Sequence, residues 1–236
     1  MLERLKLLID DEQLLKVCNS KILVVGVGGV GGACFEALVR LGVKYITVID
    51  KDSFDLSNLN RQILSNMNNI GQKKVFEARL RGKSINPNIC VECMDMFLNE
   101  ANIDELDFMK YDYIVDCCDT MTTKLLLIKK ALQYNVKIIS SMGTGNRFDP
   151  TKLEITEIWK TSYDPVAKVM RKMMRENGIK DKITVLCSNE QPVKINSRKP
   201  GSTSLVPNVA GFYIASYVFN DIINSGKWFK WNKMKN

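Results

Sequence analysis

Apolar runs alternate with polar and helix-forming segments along the first 150 residues of this chain. Ile22–Val25 is one apolar run and Tyr45–Ile49 is a second, and an alanine- and leucine-rich segment that opens on glycines separates them. Short apolar runs bounded by turns predict buried strands, and the segment between them predicts a helix. The alternation continues to residue 150 and predicts an α/β fold with a Rossmann-like, doubly wound, mostly parallel sheet.

The same patterns predict the remaining elements. Helices are expected over residues 3–18, 74–84, 122–134 and 164–177, with an acidic helix after Phe97 and a helix from Val206 onward. Further strands are expected over residues 89–97, 113–118, 136–142, 153–159 and 183–187. The elements after residue 150 form a carboxy-terminal extension, so residues 1–236 are predicted to be one domain, with a first part (1–150) that carries the motifs discussed next and a basic part (151–236).

A glycine-rich turn follows the first predicted strand and contains Gly26, Gly28, Gly29 and Gly31. Glycines let the backbone approach phosphate groups, and the amino terminus of the next helix offers free N–H groups and positive dipole to an anion. Asp50 ends the second strand, where an acid can bind a ribose hydroxyl. The order strand, glycine turn, helix, strand, acid therefore predicts nucleotide binding.

The following loop changes which nucleotide is expected. Arg61 and Lys74 add two cations that suit a triphosphate better than the pyrophosphate of NAD, and no GxxxxGK[ST] motif is present. Asp119 ends the fourth predicted strand, a position that suits a magnesium ion bridging phosphates. ATP is therefore predicted, and a nicotinamide oxidoreductase remains an alternative.

Composition limits the chemistry. The chain has no histidine, which excludes Ser-His-Asp triads, Cys-His dyads and HExxH zinc sites. Its seven cysteines are scattered, and the sequence offers neither a signal peptide nor an apolar run of membrane-spanning length. We therefore expect reduced thiols, a cytoplasmic location and no membrane contact.

Positive charge is concentrated in the last third. Residues 1–150 carry 19 Lys+Arg and 19 Asp+Glu, whereas residues 151–236 carry 15 and 7. Asp164 and Pro165 predict the start of a helix. Its cations at helical spacing are Lys168, Arg171, Lys172 and Arg175, and an apolar stripe opposite them comprises Val166, Val169, Met170 and Met173. This stripe of cations is predicted to face solvent and bind the phosphates of a polyanion; an ordinary solvated surface is the alternative.

Five features occur together in this chain: GxGGVG, DxD, NxNRQ, the lysine after the GQ pair and the Asp after the fourth strand. In this combination the chain resembles the ubiquitin-activating-like adenylating enzymes of the ThiF/MoeB type. The resemblance implies binding of ATP and Mg²⁺ and activation of a carboxylate as an acyl-adenylate. The nucleotide-binding residues that it implies are Gly26, Gly28, Gly29, Gly31, Asp50, Asp52, Asn58, Arg61, Gln62, Lys74, Asp119 and Thr120. Asp119 would hold the metal, and the catalytic residues would be Arg4, Arg61, Lys74 and Asp119.

Arg4 matches the arginine that this superfamily supplies to the ATP of the partner subunit, which implies a homodimer. A solvated helix charge is an equal alternative for Arg4. Two later segments carry a closer resemblance: SSMGTGNRFDPTKLEITEIWKTSYDPVAKVMRKMMRENGIK and PGSTSLVPNVAG. They resemble the branch of tRNA threonylcarbamoyladenosine dehydratases. That branch implies adenylation of a threonine carboxylate in tRNA, followed by ring closure with loss of water. A sulfur-relay or electron-donor protein is a further candidate partner.

The cysteines bear on the alternatives. Cys187, where a strand is expected to enter a loop, is the best thiol candidate, and Cys117 and Cys118 are expected in the core. Cys90 and Cys93 fall on opposite faces of a strand, and because no second CxxC pair exists, no zinc is expected. An activating enzyme for a ubiquitin-like or sulfur-carrier protein and a non-catalytic, nucleotide-sensing RNA-binding module remain open.

Overall fold

The computed structural model describes residues 1–197 and 199–224. Its strands are β1 (Lys21–Val25), β2 (Tyr45–Ile49), β3 (Cys90–Met94), β4 (Tyr113–Asp116), β5 (Lys137–Ser141), β6 (Leu153–Glu157) and β7 (Thr184–Ser188). Its α-helices are α1 (Asp11–Asn19), α2 (Gly29–Arg40), α3 (Lys74–Ile85), α4 (Met121–Tyr134), α5 (Pro165–Glu176) and α6 (Leu205–Ile223).

The strands form one sheet in the order β3-β2-β1-β4-β5-β7-β6. Every neighbouring pair is parallel except β6 with β7. The predicted doubly wound, mostly parallel sheet is therefore confirmed. The chain order reverses between β1 and β4, and in such sheets ligands bind in the crevice outside the carboxyl ends of the strands at this point.

Helices cover both faces of the central strands. In β1 alternate side chains enter different buried clusters, so that Val24 packs with Phe35 of α2, whereas Leu23 packs with Leu127 of α4. A strand that is buried on both faces has no polar face, which explains the continuous apolar run in the sequence. The residues of β6 and β7 join the same sheet, so the basic part extends the layer that carries the nucleotide motif.

The predicted helix over residues 3–18 is wrong in its first half. A short 3₁₀ turn occupies Leu5–Leu7, and α1 begins only at Asp11. The reason is a capping box: the Asp10 carboxylate accepts from the backbone N–H of Gln13 at 2.7 Å, and the Gln13 side chain accepts from the backbone of Asp10. A strong cap inside an apolar periodicity starts a new helix rather than continuing the old one.

The acidic helix predicted after Phe97 is also wrong. Two 3₁₀ turns, Ile103–Glu105 and Phe108–Lys110, take its place. Asn102 donates a side-chain hydrogen bond to the carbonyl of Phe97 at 2.9 Å. Such local side-chain bonds compete with helical ones. The third and fourth strands are shorter than predicted and end at Met94 and Asp116.

The helix predicted from Val206 is confirmed as α6 as far as Ile223. Its continuation beyond Asn224, and part of the positive charge of residues 151–236, lie outside the described residues. Within the residues that the structure describes, no helix has the length and apolar character needed to cross a membrane.

The glycine turn brings α2 unusually close to β1. A Cβ on Gly31 would overlap the carbonyl oxygen of Gly26, and Gly26 itself has a φ of +86°. Glycine at both positions is therefore required for the helix to start directly over the strand end. Gly28, by contrast, has room: the atom nearest to an added Cβ is Nε2 of Gln62 at 3.8 Å.

We expect Gly31→Ala to lower the free energy of unfolding by about 1–3 kcal/mol, because the added methyl group overpacks the junction of strand and helix. Gly28→Ala is the matched control and should leave stability nearly unchanged. Urea unfolding of both variants checks the difference. Equal stability of the two would contradict the close approach.

Candidate active site

A cavity of about 810 Å³ lies at the carboxyl ends of β1, β2 and β4. Its size is in the range of ordinary ligand pockets. The predicted nucleotide-binding residues that line it are Gly26, Gly28, Gly29, Asp50, Asp52, Asn58, Arg61, Gln62, Lys74, Asp119 and Thr120. Gly31 does not line it, since this glycine contacts the backbone of the turn instead.

Asp50 holds the glycine turn in place. Its carboxylate accepts hydrogen bonds from the backbone N–H of Val27 at 2.8 Å and from that of Asp52 at 2.9 Å. The turn is further fixed by a bond from the Gly26 N–H to the carbonyl of Ile49 at 2.7 Å. The acid at the end of β2 therefore orders the phosphate-facing backbone, and the ribose contact stays a prediction.

Two predicted cations are held in the cavity wall by partners of the chain itself. The ammonium of Lys74 lies 3.2 Å from a carboxylate oxygen of Asp52, and the Lys74 side chain is almost wholly buried. Arg61 donates from Nη1 to the carbonyl of Ser57 at 2.7 Å and to Oδ1 of Asn60 at 3.1 Å. Both positive charges are thus positioned without a ligand, which reduces the reorganisation needed when an anion binds.

The chemistry of this lining fits a nucleoside triphosphate with a divalent cation. The cavity is lined by the backbone of the glycine turn, by the cations Arg61 and Lys74 and by the exposed carboxylate of Asp119. Gln62 adds a buried side-chain oxygen that has no hydrogen-bond partner among the described residues. A buried acceptor of this kind favours a ligand that can donate to it.

A buried ion pair supports the turn that carries Asp119. The ammonium of Lys124 lies 3.1 Å from Asp116, the last residue of β4, and donates to the carbonyl of Ser141 at 2.7 Å. Burial alone would lower the pKa of Lys124, but the Asp116 carboxylate more than offsets this and raises it. Asp116 also accepts from the backbone N–H of Cys118 at 3.2 Å, so the pair ties together β4, β5, α4 and the turn.

Sequence reasoning missed the residues that close the cavity from the far side. Lys199, Pro200, Gly201 and Ser202 line it, as do Thr144, Gly145 and Lys51. Asn146 and Gly201 exchange two hydrogen bonds, of 2.8 and 2.6 Å, and Asn60 donates to the carbonyl of Ser202 at 2.9 Å. The motif PGST was the available signal, but its partners lie more than 50 residues away in the chain.

A second buried ion pair joins the cavity wall to the basic part. Arg147 lies 3.4 Å from Asp164 and donates to the carbonyls of Gly143 and Tyr163, the latter at 3.1 Å. Asp164 caps α5 through the backbone N–H of Ala167 at 3.0 Å, as predicted. The segment that carries Thr144 and Gly145 is therefore fixed to the first turn of α5.

The predicted stripe on α5 needs correction at two positions. Arg171 is only partly exposed, because its guanidinium donates to the carbonyl and hydroxyl oxygens of Thr161. Its long aliphatic stem lets the charge reach these acceptors across the edge of the buried face. Val169 is exposed, and Ala167 and Met174 join Met170 on the buried face.

The other three cations of the predicted stripe are exposed at the surface: Lys168, Lys172 and Arg175. Lys172 lies 3.7 Å from Glu176, and Arg175 lies over the ring of Trp159. Arg4 is exposed as well and does not line the cavity of its own chain. It precedes a segment with two highly exposed leucines, Leu7 (79%) and Leu8 (82%).

The cysteine expectations are partly wrong. Cys187 is buried within β7 rather than at a loop, and burial raises its pKa to about 12, so it is not a thiolate near neutral pH. Cys117 and Cys118 follow β4 and line the cavity, although burial raises the pKa of both. No group of three or more potential ligand side chains occurs in residues 1–197 or 199–224, and the zinc expectation stays a prediction.

Comparison with known proteins gives a consistent result. Residues 2–214 match the ThiF family. The chain is 38% identical over 237 residues to a tRNA threonylcarbamoyladenosine dehydratase of Bacillus subtilis, with 93% of each chain covered. It is 35% identical to dehydratase 2 of Saccharomyces cerevisiae over 78% of this chain but 42% of that protein.

Solved structures agree with this. A crystal structure of the Escherichia coli tRNA N6-threonylcarbamoyladenosine dehydratase in complex with AMP superposes with a TM-score of 0.88 at 30% identity and covers 93% of this chain and 92% of that one. The same E. coli enzyme in complex with ATP also gives a TM-score of 0.88, at 29% identity and the same coverage.

We expect Lys124→Met to destabilise the fold by about 3–5 kcal/mol, since it leaves the Asp116 carboxylate buried without its cation. The double variant Lys124→Met/Asp116→Asn removes both charges and should recover part of this loss. Lys16→Met is the control, because the pair of Lys16 with Glu12 is exposed and should contribute little. Urea unfolding measures all three. A single variant as stable as the control would show that the pair does not support the turn.

Proposed function

Because this chain belongs to the ThiF family, and within it to the tRNA threonylcarbamoyladenosine dehydratases, we propose that it uses ATP to adenylate the threonine carboxylate of threonylcarbamoyladenosine in tRNA. A carboxylate oxygen attacks the α-phosphorus of ATP and pyrophosphate leaves. A nucleophile within the same nucleoside then attacks the activated carbonyl carbon, AMP leaves and a ring closes. The nucleoside thereby loses the elements of water.

The observation that carries this proposal is the convergence of Arg61, Lys74 and Asp119 on one glycine-lined cavity at the carboxyl ends of the sheet. Arg61 and Lys74 bind the phosphates and stabilise the charge that develops on them during transfer. Asp119 would hold Mg²⁺, which would neutralise charge on the phosphates. Asn58 and Gln62 orient the nucleotide, and Thr120 lies beside Asp119 at the start of α4.

The proposal extends to the assembly. The enzyme acts in the cytoplasm as a two-fold homodimer in which Arg4 completes the ATP site of the partner chain. Two features support this: Arg4 lies outside the cavity of its own chain, and exposed Leu7 and Leu8 follow it. Apolar side chains this exposed are typical of an interface. A sulfur-relay or electron-donor partner stays a prediction from the resemblance.

The exposed cations of α5, Lys168, Lys172 and Arg175, bind tRNA phosphates in this proposal, and Arg171 serves as their anchor to the Thr161 turn. The alternatives receive less support. An activating enzyme that transfers its substrate to a thiol needs a reactive cysteine, and Cys187 is buried with a raised pKa. A nicotinamide enzyme does not need the cations Arg61 and Lys74.

One assay tests the function and its residues together. Incubation of the protein with ATP, Mg²⁺ and tRNA carrying threonylcarbamoyladenosine should give AMP and a nucleoside lighter by one water. Arg61→Ala, Lys74→Met and Asp119→Ala should each lower the rate by roughly 10²–10³ through loss of charge stabilisation. Lys73→Met is the matched control, because Lys73 pairs with Asp95 and does not line the cavity.

Rates of Lys74→Met and Lys73→Met that differ by less than a factor of three would remove Lys74 from the catalytic set. A nucleoside of unchanged mass without any AMP formed would contradict the proposed function and would favour the non-catalytic, nucleotide-sensing module.

Arg4 can be tested by complementation. Arg4→Ala and Asp119→Ala homodimers should both be inactive, because each site takes Asp119 from one chain and Arg4 from the other. A mixed dimer then has one intact and one doubly defective site. Co-refolding with random pairing should restore about a quarter of wild-type activity. Heterodimers that form by mass spectrometry but stay inactive would place Arg4 in its own chain's site, and an active Arg4→Ala homodimer would remove Arg4 from catalysis.

A further inference from the structure

Two large aromatic side chains remain exposed next to the cavity. Phe148 is 64% exposed and Tyr163 is 59% exposed. Neither belongs to any buried cluster of the described residues. Single exposed apolar residues are common, so the significance of these two depends on where they lie and how they are held.

Both residues are attached to the same wall of the cavity. Phe148 follows Thr144 and Gly145, which line the cavity, by only a few residues. Tyr163 is connected to this segment through Arg147, whose Nη2 donates to the Tyr163 carbonyl at 3.1 Å. The backbones of both aromatic residues are therefore joined to the segment that forms this wall of the cavity.

The backbone under both residues is firmly fixed. The N–H of Phe148 donates to the carboxylate of Glu190 at 3.0 Å, and Arg147 and Asp164 form their ion pair almost without solvent exposure. Tyr163 has a φ of +53°, a left-handed conformation that is costly for a bulky residue. Such strain persists only where the surrounding contacts over-determine it, so these rings are presented on a rigid support.

Exposed cations lie on chain segments that neighbour both aromatic residues. Lys168 lies in the first turns of α5, just after Tyr163, and is exposed. Lys194 is exposed next to Val193, whose N–H donates to the carbonyl of Asn146 at 2.8 Å. Exposed aromatic rings together with cations are the combination that binds single-stranded nucleic acid, since the rings stack on bases and the cations bind phosphates.

We propose that Phe148 and Tyr163 form a stacking site for the nucleobases that flank the modified adenosine of the RNA substrate. This inference rests on the proposed function. For its carboxylate to reach the cavity, the modified nucleoside must leave its stack, and its neighbours then lose a stacking partner. Aromatic rings at the rim replace that partner and hold the RNA with the reacting nucleoside directed inward.

Binding of tRNA carrying threonylcarbamoyladenosine tests the stacking site. Phe148→Ala and Tyr163→Ala should each weaken binding about ten-fold, whereas Phe148→Trp should retain it, because stacking needs any aromatic face. Tyr163→Gly should bind tRNA as weakly as Tyr163→Ala. It should be at least as stable to unfolding as Tyr163→Ala, since glycine adopts the left-handed backbone without strain. Tyr45→Ala is the control: Tyr45 is 44% exposed but begins β2, at the end of the strand away from the cavity.

Salt dependence separates stacking from phosphate contacts. The double variant Phe148→Ala/Tyr163→Ala should weaken binding with the slope of log K against log salt unchanged. Lys168→Ala/Lys172→Ala should lower the magnitude of that slope by roughly two units. A substrate with 2-aminopurine next to the modified nucleoside adds a direct readout. At saturating protein, the fluorescence of 2-aminopurine should stay quenched when the substrate is bound to the wild type and should recover when it is bound to the double aromatic variant.

The outcomes distinguish this site from the proposed function. If the double aromatic variant binds modified tRNA as tightly as the wild type, or leaves 2-aminopurine quenched, the stacking site is wrong even though the wild type releases AMP. If the wild type forms no AMP from modified tRNA, the proposed function fails, and the stacking site with it. Weaker binding, an unchanged salt slope and recovered fluorescence together support stacking.

Discussion

The buried ion pair of Lys124 with Asp116 holds together the part of the sheet on which the cavity is built. It connects the ends of β4 and β5 to the first turns of α4, and it fixes the turn that carries Asp119. An ion pair without solvent contact contributes little to stability compared with apolar packing, but its loss on one side is severe. The pair acts as a constraint on geometry: the turn that exposes the Asp119 carboxylate at the cavity is positioned by a second carboxylate, Asp116, and by Lys124.

The second buried pair, Arg147 with Asp164, extends this constraint to the basic part. Through it the cavity wall at Thr144 and Gly145 and the capped amino terminus of α5 become one unit. In the proposed function, a tRNA bound at α5 is therefore connected through this ion pair to the wall of the cavity in which adenylation takes place.

Most of the fold could be predicted because its signals are local. Apolar runs such as Ile22–Val25 and the glycine turn after them encode strand, turn and helix within a few residues. The predictions were wrong where a side-chain hydrogen bond determined the local structure. Asp10 caps a new helix inside an apolar periodicity, and the side chain of Asn102 bonds to the carbonyl of Phe97 where helical hydrogen bonds were predicted. For the site, the motif residues other than Gly31 line one cavity, but Arg171 is partly buried rather than fully exposed, and Lys199 was missed. Their positions depend on Thr161 and on a segment that returns to the cavity from far along the chain.

Oxygen transfer from the substrate to AMP tests the central claim, adenylation of a tRNA carboxylate, most directly. The carboxylate oxygen that attacks the α-phosphorus stays with the phosphate when the ring closes. With tRNA in which both oxygens of the threonine carboxylate are labelled with ¹⁸O, mass spectrometry should therefore find one ¹⁸O in the AMP released, one in the carbonyl group of the cyclised nucleoside and none in pyrophosphate. Release of AMP without label, or label that appears in inorganic phosphate together with ADP, would contradict an acyl-adenylate.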